Sequence, residues 1–291
     1  MKKKYKEMYL EHEKEGYEIA EEKSKEIYKK QKEDREKLLD EIGRVVLTYA
    51  VIDGVIDLTT KQKRKLNKKF NKTIKNLTRN QSTSEEKVIN DILETVTKER
   101  YNKNGYLMSI GMKFDMKRFS DSKMKEIVNN TIDGKTWSDR NWTNKKKLER
   151  TLKREVNRLF QGETNINDID KVIRDKFSQN AYNSKRLIET EVARCQAEAN
   201  DLFAREHDVE KQMYVATLDE RTTEQCQNLD SNIYDIDDTD KPIPPLHPLC
   251  RSTLVNLPSV DWDFDTRKDN ETKGYIDFMT YEEWKEQNNI D

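Results

Sequence analysis

The stretch that decides the fold is YVATLDERTTEQCQNLDSNIYDIDDTDKPIPPLHPLCRSTLV, residues 214–255. Apolar residues alternate where it begins, and this period of two predicts a short strand. Asp219 stands where a helix N-cap would, so a short helix that carries Cys226 should follow. The loop KPIPPLHP cannot be helical, because proline lacks the amide proton and clashes with the preceding turn. After Cys250 the sequence predicts a returning strand.

These elements predict a small β element whose stiff loop brings two polar groups back to the short helix. The groups are His247 and Cys250, and the helix residue that they approach is Cys226. All three are residue types that bind metals, and the His-x-x-Cys spacing suits zinc. A zinc ion with three protein ligands and a water would indicate a hydrolase, for which Asp219, Glu220 or Glu224 could act as the base. The sequence has no His-Glu-x-x-His motif to support that interpretation.

The composition limits the kind of protein that this is. Of 291 residues, 33% are hydrophobic and 38% are charged, and the mean hydropathy is −1.09. So little apolar material predicts long solvated helices rather than one compact globule. The 55 lysines and arginines nearly cancel the 56 aspartates and glutamates, so the whole chain has no net positive field. We expect no signal peptide, no membrane span and no disulfide framework from three cysteines.

The predicted fold class is α+β and mostly α, with an extended helical amino-terminal part followed by a helical domain that ends in the β element. Residues 1–100 are expected to be helical and to make few contacts with the rest, with a polar break at 80–84. Residues 101–118 contain two glycines and scattered aromatic residues, which favours a loop that links two domains. The second domain is predicted at 119–260 and a tail at 261–291, where aromatic residues could fold back over the domain.

One segment, residues 61–76, is strongly basic. It is a candidate for a DNA-facing surface, although a run of like charges is more often only a solvated helix face. The candidate residues are Lys61, Lys63, Arg64, Lys65, Lys68, Lys69 and Lys72.

The motif around the proline loop resembles the carboxy-terminal signature of the phage head morphogenesis family, the MuF-type minor head proteins. The resemblance covers about 120–290, and its matching residues are Asp219, Arg221, Thr222, Cys226, Pro245, His247, Pro248, Cys250, Arg251 and Thr253. Asp133-Gly134-Lys135-Thr136-Trp137-Ser138 and Trp142 are similar to the family's entry motif, and Thr190-Glu191 to the end of its helix motif. Two family cysteines are replaced, by Thr223 and Ser252.

The replaced cysteines bear on what the remaining two do. A metal cage that used all four cysteines would be incomplete here. If the first family cysteine pairs with the last and the second with the third, Cys226 and Cys250 remain as an intact pair. Three interpretations therefore stay open: buried small groups with His247 bonded to a turn carbonyl, a thiol pair or disulfide, and a zinc site. Packing or a thiol pair is preferred, and no cofactor is expected apart from that zinc.

The resemblance also implies a function and partners. It implies a structural minor head protein of a tailed bacteriophage, located inside the capsid after synthesis in the host cytoplasm, and not an enzyme. Its partners would be the portal protein and the major capsid or scaffold protein, with packaged double-stranded DNA as a further candidate. The alternatives are a metal-dependent hydrolase or nuclease that uses Cys226, His247 and Cys250, and a toxin-associated delivery module. A structural lock is expected between the helix and the β element, with Glu191 and Asp219 as anions and Arg221 and Arg251 as cations.

Overall fold

The structure is a computed structural model that describes residues 2–111, 116–257, 266–269, 272, 274–277 and 279–288. The described chain is mostly helical with small antiparallel sheets, so the predicted α+β class is confirmed. The helices are α1 Lys2–Thr48, α2 Thr60–Gly111, α3 Asp121–Val128, α4 Trp137–Gln161, α5 Ile166–Glu206, α6 Glu224–Gln227 and α7 Tyr281–Asn288. The strands are β1 Val51–Ile52, β2 Val55–Ile56, β3 Lys211–Val215, β4 Ile233–Asp235, β5 Thr253–Leu257, β6 Thr266–Lys268 and β7 Tyr275–Asp277.

The chain divides into two compact units, each built from separate segments. Unit 1 comprises Met1–Glu22, Asp91–Asn130 and Ile188–Asp291, and unit 2 comprises Lys23–Asn90 and Thr131–Leu187. Helices α1, α2 and α5 each contribute residues to both units. No helix among the described residues combines the length and the apolar character that crossing a bilayer requires.

Unit 2 is a helical assembly with one apolar core. The apolar faces of α1, α2, α4 and α5 meet there, and Phe70 packs edge-on against Phe160 with ring centroids 5.1 Å apart. Helix α1 ends at the β1–β2 hairpin, where Gly54 has φ 77°, a conformation that favours glycine. Helix α4 begins at a capping box of Thr136 and Asp139, the side chains that cap the first free amides.

A buried polar network crosses unit 2. Lys145 of α4 lies 2.7 Å from Glu85 of α2, and both side chains are almost fully buried. Gln31 of α1 donates to Glu85 at 2.7 Å and to Ser184 of α5 at 3.0 Å. The polar break predicted at 80–84 is therefore wrong: α2 continues through these residues because Gln81 and Glu85 face buried partners rather than water.

The sheet of unit 1 has the order β4-β3-β5 and is antiparallel throughout. Strand β3 pairs with β5 over its whole length, with Met213 opposite Val255, and both side chains contribute to a core that also contains Tyr9 of α1. The hydroxyl of Tyr9 donates to the carbonyl of Leu254 at 3.0 Å. The expected independence of residues 1–100 is therefore wrong, because the start of α1 is part of the same core as the β element.

The loop predicted at 101–118 is also corrected. Residues 101–111 continue α2, and Tyr101 and Leu107 are fully buried. Tyr101 stacks on Phe119, with ring centroids 4.5 Å apart, and contacts Phe203 of α5 edge-on. Tyr101, one of the aromatic residues that indicated a loop, instead packs in the core of unit 1. Residues 112–115 lie outside the described residues, and the boundaries predicted for the second domain and the tail stay predictions.

One aromatic residue of the tail is placed. Trp284 of α7 is fully buried and packs with Leu218, which follows β3. Leu218 also forms a parallel bridge with Asp269. The tail residues Trp262, Phe264 and Phe278, which were expected to fold back as well, lie outside the described residues.

Candidate functional site

The predicted β element forms in unit 1 and holds the Cys/His cluster, which we define as Cys226, His247 and Cys250. Cys226 lies on α6, whose N-cap is Thr223 and not the predicted Asp219. The proline loop returns His247 and Cys250 to α6, and a turn in which the Cys250 amide donates to the His247 carbonyl at 3.1 Å joins them. The Leu249 amide donates to Thr190 Oγ1 at 3.1 Å, which ties the loop to α5.

The three ligand-type atoms of the cluster all lie within 4.8 Å of one another. Cys226 Sγ is 3.8 Å from Cys250 Sγ and 3.3 Å from His247 Nε2. Both thiols are buried and free, and His247 is half-buried. The structure thus brings together the three residues that the sequence grouped.

The imidazole of His247 is oriented by its own turn. Its Nδ1 lies 3.0 Å from the Pro248 carbonyl, which can only accept, so Nδ1 carries the proton. The Nε2 lone pair is then left facing Thr223 Oγ1 at 3.0 Å and the Cys226 thiol. A carbonyl that holds the second ring nitrogen is also the arrangement that orients metal-bound histidines.

The contact between the two thiols shifts their pKa values in opposite directions. The Cys250 thiol donates a hydrogen bond to Cys226 and lowers the pKa of Cys226 against the opposing effect of burial. Bonds from Ser252, Tyr214 and Thr223 act in the same direction. The same contact, together with burial, raises the pKa of Cys250, because a second thiolate beside the first would be repelled. These contacts favour a negative charge on Cys226 over one on Cys250.

The two residues that replace family cysteines, Thr223 and Ser252, both lie beside the Cys/His cluster. Thr223 contacts His247, and Ser252 is buried and bonds to the Cys226 sulfur. Tyr214 of β3, which sequence reasoning did not single out as a site residue, donates to Cys226 at 3.3 Å. Its position opposite Leu254 in the sheet register places it under the cluster. In the sequence, only the alternation of side chains along β3 could have indicated that Tyr214 faces the cluster.

The cluster passes a distance test for zinc. Two sulfurs bound to one tetrahedral zinc at about 2.3 Å lie about 3.8 Å apart, and a sulfur and a nitrogen about 3.6 Å apart. The observed separations of 3.8 Å and 3.3 Å are close to those values. Three residues would bind the ion, and the hydroxyl of Thr223 lies 3.0 Å from one of them, at His247 Nε2. A zinc ion there would hold α6 to the proline loop.

Three of the four residues predicted as a structural lock meet at Asp219, and the fourth, Glu191, does not. Its carboxylate is 1% exposed and is bound by both ends of the Arg251 guanidinium, with Arg251 Nη2 to Oδ1 at 2.7 Å. Arg221 approaches the same carboxylate at 3.3 Å from an exposed position. Asp219 also accepts from the Arg221 amide at 3.0 Å, so it organises the turn before α6 rather than capping the helix. Charge-assisted bonds of this bidentate kind are among the strongest in proteins.

Glu191 forms an ion pair with an arginine other than the expected Arg221 or Arg251. It pairs with Arg194 one turn along α5 at 2.7 Å, and both side chains are buried. Arg194 donates onward to the carbonyls of Ile127 and Val128, the last residues of α3. Glu191 thus anchors α3 to α5. The i, i+3 spacing of glutamate and arginine was the available signal for this pair.

The predicted basic segment lies in the first turns of α2, in unit 2. Most of its members are exposed, whereas Lys63 is half-buried and approaches the Gln161 carbonyl at 3.4 Å. The segment is therefore separate from the Cys/His cluster, which belongs to unit 1.

Comparison with protein families matches part of this chain. Residues 146–255 match the family described as Phage Mu protein F like protein. Neither the curated proteins nor the solved structures contain a match to this chain. The matched segment runs from α4 to β5 and includes the whole Cys/His cluster, Asp219 and Arg251. Residues 146–255 are therefore similar to the Phage Mu protein F like family, and this match supports a MuF-type bacteriophage head morphogenesis protein.

Proposed function

We propose that this protein is a structural minor head protein, located inside the capsid of a tailed bacteriophage, and that it acts in head assembly through contact with the portal protein. The observation that carries the proposal is the family match over residues 146–255. The major capsid protein or a scaffold protein is the further partner that this role requires. Virion location and synthesis in the host cytoplasm follow from the same role.

The geometry of the Cys/His cluster supports a structural role over a catalytic one. The polar atoms of His247 and Asp219 are already used: Nδ1 of His247 binds a carbonyl, Nε2 faces Thr223 and Cys226, and Asp219 is held by two arginines. Two surface clefts are formed by helices of unit 2, and neither is lined by a residue of the cluster. In this proposal the cluster fastens the proline loop to α6, either as a thiol pair or around a zinc ion.

The assembly role is tested in the phage itself. Heads made without the gene should be reduced in number or infectivity, and mass spectrometry of purified wild-type heads should detect the protein at low copy. Crosslinking in those heads should join it to the portal. Normal heads that lack the protein, with undiminished infectivity, would overturn the proposal.

A second experiment separates the structural role from the metal-dependent hydrolase or nuclease. The protein is purified without chelator, its zinc content is measured, and nuclease activity is assayed with and without added zinc or magnesium. We expect no hydrolysis, and we expect His247→Ala to lower the free energy of unfolding by about 1–3 kcal/mol, because it removes a partner from buried polar groups. Hydrolysis by the wild type that His247→Ala abolishes, with one zinc per chain, would establish the enzyme instead.

A further inference from the structure

The near-neutral chain is divided into two units of opposite charge. Unit 2 holds 32 lysines and arginines against 18 aspartates and glutamates, a formal charge of +14, and unit 1 holds 23 against 38, a formal charge of −15. A net charge computed over the whole chain hides this division. We propose that unit 2 binds the phosphate backbone of double-stranded DNA, without sequence preference, through one face of α2.

The face in question is a basic stripe, which we define as Lys61, Lys65, Lys68, Lys72, Lys75 and Arg79. These residues recur every three or four positions, so they lie on one side of the helix, and all six are exposed. At 1.5 Å per residue the stripe is about 27 Å long. The opposite side of the same turns carries Leu66, Phe70 and Ile74, which are buried in the unit 2 core and fix the direction of the stripe.

The charges of the stripe have no acidic partner among the described residues. No acidic residue occurs between 58 and 84, a segment with nine basic residues. In the part of the chain that the structure describes, no carboxylate lies within ion-pair distance of a stripe residue, whereas the neighbouring Lys69 has Glu41 at 3.5 Å. By contrast, some basic residues elsewhere in unit 2 are paired, as Lys153 is with Glu149 and Arg174 with Asp170.

The composition of the face favours phosphate over a protein surface. Between 60 and 80, every exposed residue is lysine, arginine, asparagine or threonine, and none is apolar. Protein–protein interfaces are depleted in lysine and need a buried apolar centre. Non-specific DNA binding needs only cations spaced along the backbone, each of which releases a counterion from the duplex. The other polyanion to consider is the acidic unit 1 of a second copy, and the experiment must exclude it.

The inference extends the proposed function, because DNA is what the interior of a filled phage head contains. Its test needs only the purified full-length protein and a duplex, so its failure would leave the assembly role untouched. An array of exposed lysines without base-reading groups predicts equal affinity for duplexes of unrelated sequence.

The experiment compares two quadruple variants with the same net charge. The stripe variant is Lys61→Gln, Lys65→Gln, Lys68→Gln and Lys72→Gln. The control variant is Lys32→Gln, Lys37→Gln, Lys135→Gln and Lys171→Gln, four exposed lysines of unit 2 that each have an acidic residue within two positions. Binding of a labelled 30-base-pair duplex, and of a second duplex of unrelated sequence, is measured by fluorescence anisotropy at several salt concentrations. Circular dichroism checks that both variants keep the wild-type helix content.

For the wild type we expect binding that weakens steeply with salt, with a slope of about −5 in log affinity against log salt for six contacts. The stripe variant should lose about four units of that slope and bind about 100-fold more weakly at low salt. The control variant should stay within about threefold of the wild type. Absence of wild-type binding at low salt, or equal weakening in both variants, would overturn the proposal. So would sedimentation showing that the stripe substitutions dissolve a wild-type oligomer while DNA affinity is unchanged, because the stripe would then bind a second copy.

Discussion

At the scale of single residues, Asp219 of the β element is constrained by burial and by two arginines. It is buried, and its charge is balanced by Arg251, which is 31% exposed, and by Arg221, which is 75% exposed. A buried carboxylate that loses its principal partner pays the cost of an uncompensated charge, whereas an exposed partner contributes little.

We therefore expect Arg251→Gln to lower the free energy of unfolding by about 2 kcal/mol, because Arg221 can replace only part of its effect. The matched control, Arg221→Gln, should change it by less than about 0.5 kcal/mol. Chemical denaturation followed by circular dichroism measures both. Equal effects of the two substitutions would show that the bidentate contact does not stabilise the turn.

A second residue, His12 of α1, gives a prediction on pH. Burial is the principal reason that the pKa of His12 is lowered from its usual 6.5, with Glu15 opposing and Lys103 adding to the effect. The unfolded chain then takes up a proton near pH 6.5 that the folded chain resists. This contribution to stability is fully present above pH 6.5 and is lost as the pH falls towards the lowered value.

Accordingly, the free energy of unfolding of the wild type should fall more between pH 7.5 and pH 5.5 than that of His12→Gln, which has no ring to titrate. Urea denaturation of both proteins at the two pH values gives the difference. If the variant loses as much stability as the wild type over this range, His12 is not responsible.

At the scale of elements, the first turns of α1 belong to unit 1 because of specific polar contacts. The ring of Tyr9 is fully buried, and its hydroxyl donates to the Leu254 carbonyl and contacts Asn200. Arg100 of α2 lies over the Tyr9 ring, 4.2 Å from its centroid, and pairs with Glu13 at 3.1 Å. These contacts join α1, α2 and α5 beneath the strand that leads away from Cys250.

Removing the Tyr9 hydroxyl should lower the stability of the fold. We expect Tyr9→Phe to lower the free energy of unfolding by about 1–2 kcal/mol, because buried acceptors lose a donor while the apolar ring is kept. Tyr106→Phe is the control, since Tyr106 is 57% exposed, and it should change stability by less than about 0.5 kcal/mol. Equal stabilities of Tyr9→Phe and the wild type would mean that α1 is held by packing alone.

At the scale of the whole molecule, the continuity of three helices through both units predicts cooperative unfolding. In a background of Trp137→Phe and Trp142→Phe, the remaining tryptophans belong to unit 1. Adding Leu152→Ala, which creates a cavity in the unit 2 core, should lower the midpoint reported by those tryptophans as much as the midpoint reported by circular dichroism. A lowered circular dichroism midpoint with unchanged fluorescence would show that the units unfold separately.

By itself the sequence predicted the helical class, a short strand at the start of 214–255 and a returning strand after Cys250. It also predicted the return of His247 and Cys250 to Cys226 and the resemblance to the phage head morphogenesis family. These features rest on local rules, because period, proline geometry and motif spacing act over a few residues. The tertiary structure decided the features that depend on contacts between residues far apart in the sequence. It continued α2 through residues 101–111, because Tyr101 and Leu107 find a core there. It placed Tyr9 in the core of the β element. It also paired Glu191 with Arg194 instead of with an arginine of the β element. It also divided a neutral chain into a basic and an acidic unit, since each unit is assembled from segments far apart in sequence, and charge adds up in space rather than along the chain.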